Sequence, residues 1–224
     1  MNRTTLAASA ALATLALIPV AADAAKPAKP AKPPKPTGKL TLAATPNPVK
    51  YRRLVTLSGR LNGANNAGQV VSVLADPFPY AVFTGVAAPT TTATGDYSVN
   101  VKPLKNTRYQ ARQGAEQSGI VTVLVRPAVS LRLSDYTPKV GQRVRYSGRV
   151  CPQHDGSTLA IQRRYSTGYR TVRRTNLRDI PGSTCSSYRR TFRVYRDGRY
   201  RAVIGTHADH AAGISSSRVA NAHR

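Results

Sequence analysis

The residues best equipped for chemistry lie in the second half of the chain, and most of them are arginines. Residues 128–224 hold eighteen Arg and one Lys against five acids, whereas residues 40–127 hold nine basic residues against three acids. A guanidinium keeps its charge at any physiological pH, forks onto phosphate, sulfate or carboxylate, and stacks on aromatic rings. Two Arg-rich sets stand out. Arg132, Arg143, Arg145, Arg149, Arg189 and Arg193, with Tyr195, alternate with apolar neighbours. Arg163, Arg164, Tyr165, Tyr169, Arg170, Arg173 and Arg174 bracket a short turn. A GC-rich genome favours Arg over Lys but does not remove Asp and Glu, so the charge excess calls for a physical reading.

Catalytic constellations are missing from the sequence. The nine Asp and Glu are scattered, with no paired carboxylates at a fixed spacing, no G-x-S-x-G elbow, no H-E-x-x-H and no Walker glycine loop. His207-Ala208-Asp209-His210 is the only short cluster of metal-ligand types. On a strand or loop its i,i+3 histidines would not face one way as they would on a helix, and no third ligand is near in sequence. It therefore reads as an exposed loop, and Asp155-Gly156-Ser157 as a turn. The sequence predicts no enzyme, no metal site and no cofactor.

Around these residues the chain divides by composition. Residues 1–24 have a positive n-region at Arg3, an apolar run from Leu6 to Val20 and an A-x-A-like site at Ala22-Asp23-Ala24. That pattern predicts an export signal cleaved near Ala24, and a product outside the membrane with no transmembrane segment. Residues 25–39 alternate Lys, Pro and Ala, which favours an extended polyproline II spacer. Residues 40–127 and 128–224 are two units of similar size.

The units repeat one another. Tyr97 and Tyr188, like Tyr109 and Tyr200, are 91 residues apart, and Val55-Thr56-Leu57-Ser58-Gly59-Arg60 returns 89 residues later as Val144-Arg145-Tyr146-Ser147-Gly148-Arg149. No segment sustains a helical apolar period. Short β-branched and aromatic runs between Gly, Pro and Asn turns predict strands near 39–43, 53–61, 69–75, 80–86, 96–102, 107–113 and 119–126. In the second unit they fall near 129–134, 142–151, 158–165, 169–175, 187–195, 199–205 and 213–219. The predicted class is all-β: two tandem immunoglobulin-like β-sandwich domains, with a small antiparallel barrel as the competing architecture.

The runs Val55-Thr56-Leu57-Ser58-Gly59, Ala67-Gly68-Gln69-Val70-Val71, Gly95-Asp96-Tyr97-Ser98-Val99 and Thr107-Arg108-Tyr109-Gln110-Ala111 resemble the bacterial immunoglobulin-like repeats of secreted actinobacterial proteins. The second unit matches more loosely, with Ser186-Ser187 before Tyr188 in place of Gly95-Asp96 before Tyr97. The resemblance implies an extracellular scaffold. In that setting Tyr109 and Tyr200 are expected as core rings plugging the sandwich end, each hydroxyl bonding back to a loop carbonyl.

Strand parity then orients the second unit. Val129, Leu131, Leu133, Val144, Tyr146, Val150, Phe192 and Val194 take the inner face, which turns Arg132, Arg143, Arg145, Arg149, Arg189, Arg193 and Tyr195 to solvent. Cys151 ends the second strand and Cys185 precedes the fifth; these strands neighbour each other in an immunoglobulin-type sheet, so a disulfide is expected, against a free thiol pair or a metal site. Asn62 and Thr94 are the counterparts in the first unit.

The function these features predict is a secreted or envelope-associated, non-enzymatic binding or adhesion module. Its partner would be an anionic polymer (wall polymer, acidic polysaccharide or lipid headgroups), with nucleic acid second because no RRM, KH or helix-turn-helix signature is present. A purely structural spacer without a specific ligand is the alternative, and a small secreted enzyme or inhibitor the third reading.

Overall fold

A computed structural model describes residues 39–224; the export signal and nearly all of the Lys/Pro arm lie outside the described residues. Among the described residues every regular element is a strand, and no helix is long and apolar enough to cross a membrane. The first half contains β1 (Ala43–Thr45), β2 (Val49–Lys50), β3 (Val55–Arg60), β4 (Ser72–Pro77), β5 (Thr84–Ala87), β6 (Asp96–Val101), β7 (Thr107–Gln113), β8 (Glu116–Gln117), β9 (Val121–Val123) and β10 (Val125–Arg126). The second contains β11 (Ala128–Val129), β12 (Arg132–Leu133), β13 (Arg143–Cys151), β14 (Thr158–Tyr165), β15 (Gly168–Asn176), β16 (Ser186–Arg193), β17 (Gly198–Ile204), β18 (Gly213–Ile214) and β19 (Arg218–Ala220).

Each half is a two-layer sandwich of the immunoglobulin type. In the first, β1-β3-β6 faces β5-β4-β7, the latter extended by β8 and β9, while β2 runs parallel to β10. In the second, β13 pairs with β11 and β12 on one side and β16 on the other, opposite β15-β14-β17 with β18 and β19. The alternation read from sequence is the alternation observed: Val144, Tyr146 and Val150 of β13 are fully buried, with Arg143, Arg145 and Arg149 exposed between them. Each half has its own apolar core. In the second, the Tyr146 ring stacks on Phe192 at 4.2 Å and meets Tyr200 edge-on at 5.0 Å.

Two departures from the predicted strands have local causes. The first strand forms at Ala43–Thr45 rather than 39–43, because Leu40 is held separately in a bridge to Leu61. The fourth begins at Thr84 instead of residue 80: Pro77 and Pro79 carry no backbone donor, and Tyr80 turns the chain with φ 67°.

The sequence repeat has a packing origin. Gly59 pairs with Tyr97 across β3 and β6, and Gly148 pairs with Tyr188 across β13 and β16. In both cases the phenol lies over the glycine and its hydroxyl donates to a backbone carbonyl outside the strands, that of Thr41 just before β1 for Tyr97 and that of Ser130 between β11 and β12 for Tyr188 (2.6 Å). A Cβ on Gly148 would sit 2.8 Å from the Tyr188 oxygen and 2.8 Å from the Ser130 carbonyl carbon. The cross-strand Gly–Tyr pair thus requires both residue types at once, which is why they recur together. Tyr109 and Tyr200 are buried core rings as expected, but the carbonyl-bonded hydroxyls belong to Tyr97 and Tyr188.

Candidate functional site

Cys151 and Cys185 form a disulfide with their Cα atoms 4.4 Å apart, one step beyond the Val150–Ser186 pair that ends the β13–β16 ladder. Both are half-buried. The first half has no covalent counterpart. There the Asn66 amide donates to the carbonyls of Leu61 (3.2 Å) and Thr94 (3.4 Å), tying the same two strand ends by hydrogen bonds.

The outer face of the β11/β12-β13-β16 sheet carries the first arginine set. Arg132, Arg143, Arg145, Arg149, Arg189, Arg193 and Tyr195 are all exposed. Register places Arg143 directly across from Arg193, and aligns Arg132, Ser147 and Arg189 in one row over three strands. Like charges opposite one another on a sheet destabilise it by roughly 0.2–1 kcal/mol per pair. Among the described residues the ion pairs are Lys39–Glu116 and Arg60–Asp96, with Asp209–His210 a third only when that ring is protonated, so no carboxylate is paired with an arginine of this face.

A groove of about 840 Å³ runs along it, lined by Arg132, Arg149, Arg178 and Arg189 with Asp179 as its one acid. Arg178 was not among the residues singled out from sequence. It belongs to the segment 177–183, expected as a loop, which folds back over the sheet because Leu177 is buried and Arg178 bridges Ser187 with reciprocal backbone hydrogen bonds of 2.8 Å. An apolar Leu beside the Arg was the available signal.

The second set does not form one cluster. It sits on the β14–β15 hairpin, where register puts Arg163 opposite Arg170 on one face and Arg164 opposite Tyr169 on the other. A bulge at Ile161/Gln162 shifts the ladder, so that Arg173 lies across from Ile161 and Arg174 from Ala160. On the first face Arg163 and Arg170 lie 5.3 and 5.8 Å from the Tyr165 ring centre, and Arg173 lies 5.5 Å from that of Phe192. On the second, Arg201 stacks on Tyr169 at 3.8 Å. A smaller cavity of about 230 Å³ joins Arg163, Tyr165 and Arg173 to Arg193, Tyr195 and Arg196, so members of both sets meet at the sandwich edge.

The histidines are brought together. His207 and His210 close a tight turn through reciprocal backbone hydrogen bonds (2.8 and 3.2 Å), and the loop after β13 delivers His154 against both, with ring centres 4.8 and 5.1 Å away. The ligand atoms of His154, Asp209 and His210 all lie within 4.8 Å of one another. No third ligand lies near His207–His210 along the chain, but the fold supplies His154 from another loop. Burial holds the His154 imidazole below its ordinary value despite its bond to the Pro152 carbonyl, and nearby His210 and His207 add to the effect. Burial raises the Asp209 carboxyl, but neighbouring His210 outweighs it and leaves the group below its ordinary value.

The same turn joins the two halves. The Asn106 backbone N–H donates to the Asp209 carbonyl (2.8 Å), the Ala211 N–H to that of Val125 (2.8 Å), and the His210 ring to that of Leu104 (2.8 Å).

No protein-family profile matches the chain, and no curated protein matches it. Among solved structures it is similar to a tetra-tandem repeat from the extending region of a large adhesion protein, at 14% identity over 81% of this chain and 48% of that one, TM-score 0.34. It is also similar to the D0-D1 domain of intimin (11% identity, 81% and 97% covered, TM-score 0.30) and to red sea bream transglutaminase (10% identity, 83% and 31% covered, TM-score 0.43). The chain thus spans about half the length of the adhesion-repeat structure and about a third of the transglutaminase. At these identities and scores the likenesses add nothing to what strand pairing establishes. The class is an all-β, tandem immunoglobulin-like sandwich with one disulfide, compatible with an extracellular location.

Proposed function

We propose that this protein is a secreted, non-enzymatic binding module that docks onto an anionic polymer of the cell envelope or its surroundings through the arginine face of β13 and its neighbours. One observation carries the reading: the exposed arginines of a single sheet face repel one another, pair with no carboxylate, and line a groove of about 840 Å³. An anionic polymer supplies the missing charge, and a run of sulfate, phosphate or uronate groups matches the planar forks of Arg132, Arg149, Arg178 and Arg189. Arg163, Arg173, Arg193 and Arg196 at the sandwich edge extend the same field. The disulfide and the expected export signal are consistent with work outside the cell.

The test is retention on immobilised heparin and on purified cell wall as salt rises. Contact with about five anionic groups weakens binding several hundred-fold between roughly 50 and 200 mM salt, by analogy with duplex DNA. Combining Arg132→Ser, Arg149→Ser, Arg178→Ser and Arg189→Ser is expected to abolish retention. Unchanged elution of that variant would move binding away from this face; no retention of the native chain at low salt would leave a structural spacer as the function.

A further inference from the structure

The histidine turn carries an independent inference. The His154 Nδ1 lies 2.8 Å from the Pro152 carbonyl and the His210 Nε2 lies 2.8 Å from the Leu104 carbonyl. A carbonyl oxygen can only accept, so each of these nitrogens carries a proton and donates. In the neutral ring the other nitrogen is then a bare lone pair, His154 Nε2 and His210 Nδ1 respectively. Both atoms are buried, and neither has a hydrogen-bond partner. His210 Nδ1 lies 3.0 Å from Asp209 Oδ2, and one ligand atom each of His154, Asp209 and His210 falls within 4.8 Å of the others.

Two nitrogen lone pairs and a carboxylate converging in a largely buried space repel one another unless something positive lies between them. A single extra proton on His210 would satisfy Asp209 and leave His154 Nε2 still orphaned. A metal dication satisfies all three groups. Each imidazole gives its other N–H to a backbone carbonyl, as ligating imidazoles characteristically do, which fixes tautomer and ring orientation.

We propose that His154, Asp209 and His210 bind a first-row transition-metal dication, with Zn²⁺ the natural occupant and His207 or water completing the set. Imidazole and carboxylate donors suit Zn²⁺, and ligand atoms on a tetrahedral ion with bonds of about 2.0–2.1 Å stand roughly 3.3 Å apart. The 3.0 Å separation of Asp209 and His210 is already near that value, and a ligand atom of His154 lies within 4.8 Å of both. The site would also brace the molecule. His210 reaches Leu104 and the Asp209 carbonyl accepts from Asn106, so a bound ion fixes the turn through which the second half grips the first.

The experiment uses the full chain, stripped with a chelator and titrated with Co²⁺ and then Zn²⁺, with bound metal counted after equilibrium dialysis. The expected result is one equivalent per chain, a visible Co²⁺ spectrum of low coordination number, and displacement of Co²⁺ by Zn²⁺. His154→Ala and Asp209→Asn should each weaken binding by at least about tenfold, while His223→Ala, at an exposed position, should not. Near-ultraviolet circular dichroism reports whether each variant is folded, and the native chain alone gives a decisive reading if one is not. Failure of the stripped native chain to take up either ion at micromolar concentration would overturn the proposal. So would stoichiometric binding that survives both His154→Ala and Asp209→Asn in folded protein.

Discussion

Replacing Gly148 by Ala tests the packing logic behind the sequence repeat. The new methyl would lie 2.8 Å from the Tyr188 hydroxyl and from the Ser130 carbonyl carbon, nearer still to the carbonyl oxygen, in a place where Cβ atoms are essentially never found. Both the Ser130 carbonyl and the phenol must retreat from the methyl, which disrupts the 2.6 Å hydrogen bond between them. Overpacking of this kind costs about 1–3 kcal/mol and a lost buried hydrogen bond about 1 kcal/mol more, so Gly148→Ala should destabilise by about 2–4 kcal/mol. Tyr188→Phe alone should cost about 1–2 kcal/mol, and much less when added to Gly148→Ala, because the bond it deletes is already gone. Urea unfolding followed by the tyrosine circular dichroism signal measures the cycle. Gly205→Ala, whose Cβ would meet nothing within 4 Å, is the control and should change stability by under about 0.5 kcal/mol. A Gly148→Ala cost no larger than the control, or costs that add without coupling, would refute the account of why Gly and Tyr recur as a pair.

Two further outcomes follow from the same contacts. Joint Cys151→Ser and Cys185→Ser replacement opens a loop with a sequence separation of 34 and should lower stability by roughly 3–4 kcal/mol, read as a drop in the urea midpoint; a shift under about 1 kcal/mol would contradict it. Burial raises the hydroxyl of Tyr109 to about 12 and lifts Tyr97, Tyr146 and Tyr188 further, so the folded chain keeps protons that the unfolded chain releases near pH 10. Their contribution is intact below pH 10 and is lost as pH rises above it, by about 1.4 kcal/mol per tyrosine at pH 11, so tyrosinate absorbance should rise together with unfolding. Ionisation of all eleven tyrosines at pH 11 with native circular dichroism retained would contradict that.

What could be read from sequence was whatever repeats with the period of a strand. Val144, Tyr146 and Val150 announce one face of β13 and Arg143, Arg145 and Arg149 the other, since a period of two allows no third option. Taking β13 and β16 as neighbours also located the Cys151–Cys185 bridge at their ends. Contacts between loops obey no such period. Arg178 joins the groove because Leu177 finds a core pocket, and His154 meets His210 because two loops at the same end of the sandwich converge beside Leu104. Spacing along the chain is silent about both. The arginine face and the histidine turn also differ in kind. The first is a broad, solvated field that any flexible anionic chain could partly satisfy, whereas the second is a buried set of lone pairs whose tautomers are fixed by carbonyls 2.8 Å away. Long-range charge tolerates mutation of one member; a closed donor set does not. Loss of single arginines should therefore erode polymer binding gradually, while loss of His154 alone should weaken metal binding by at least about tenfold in one step.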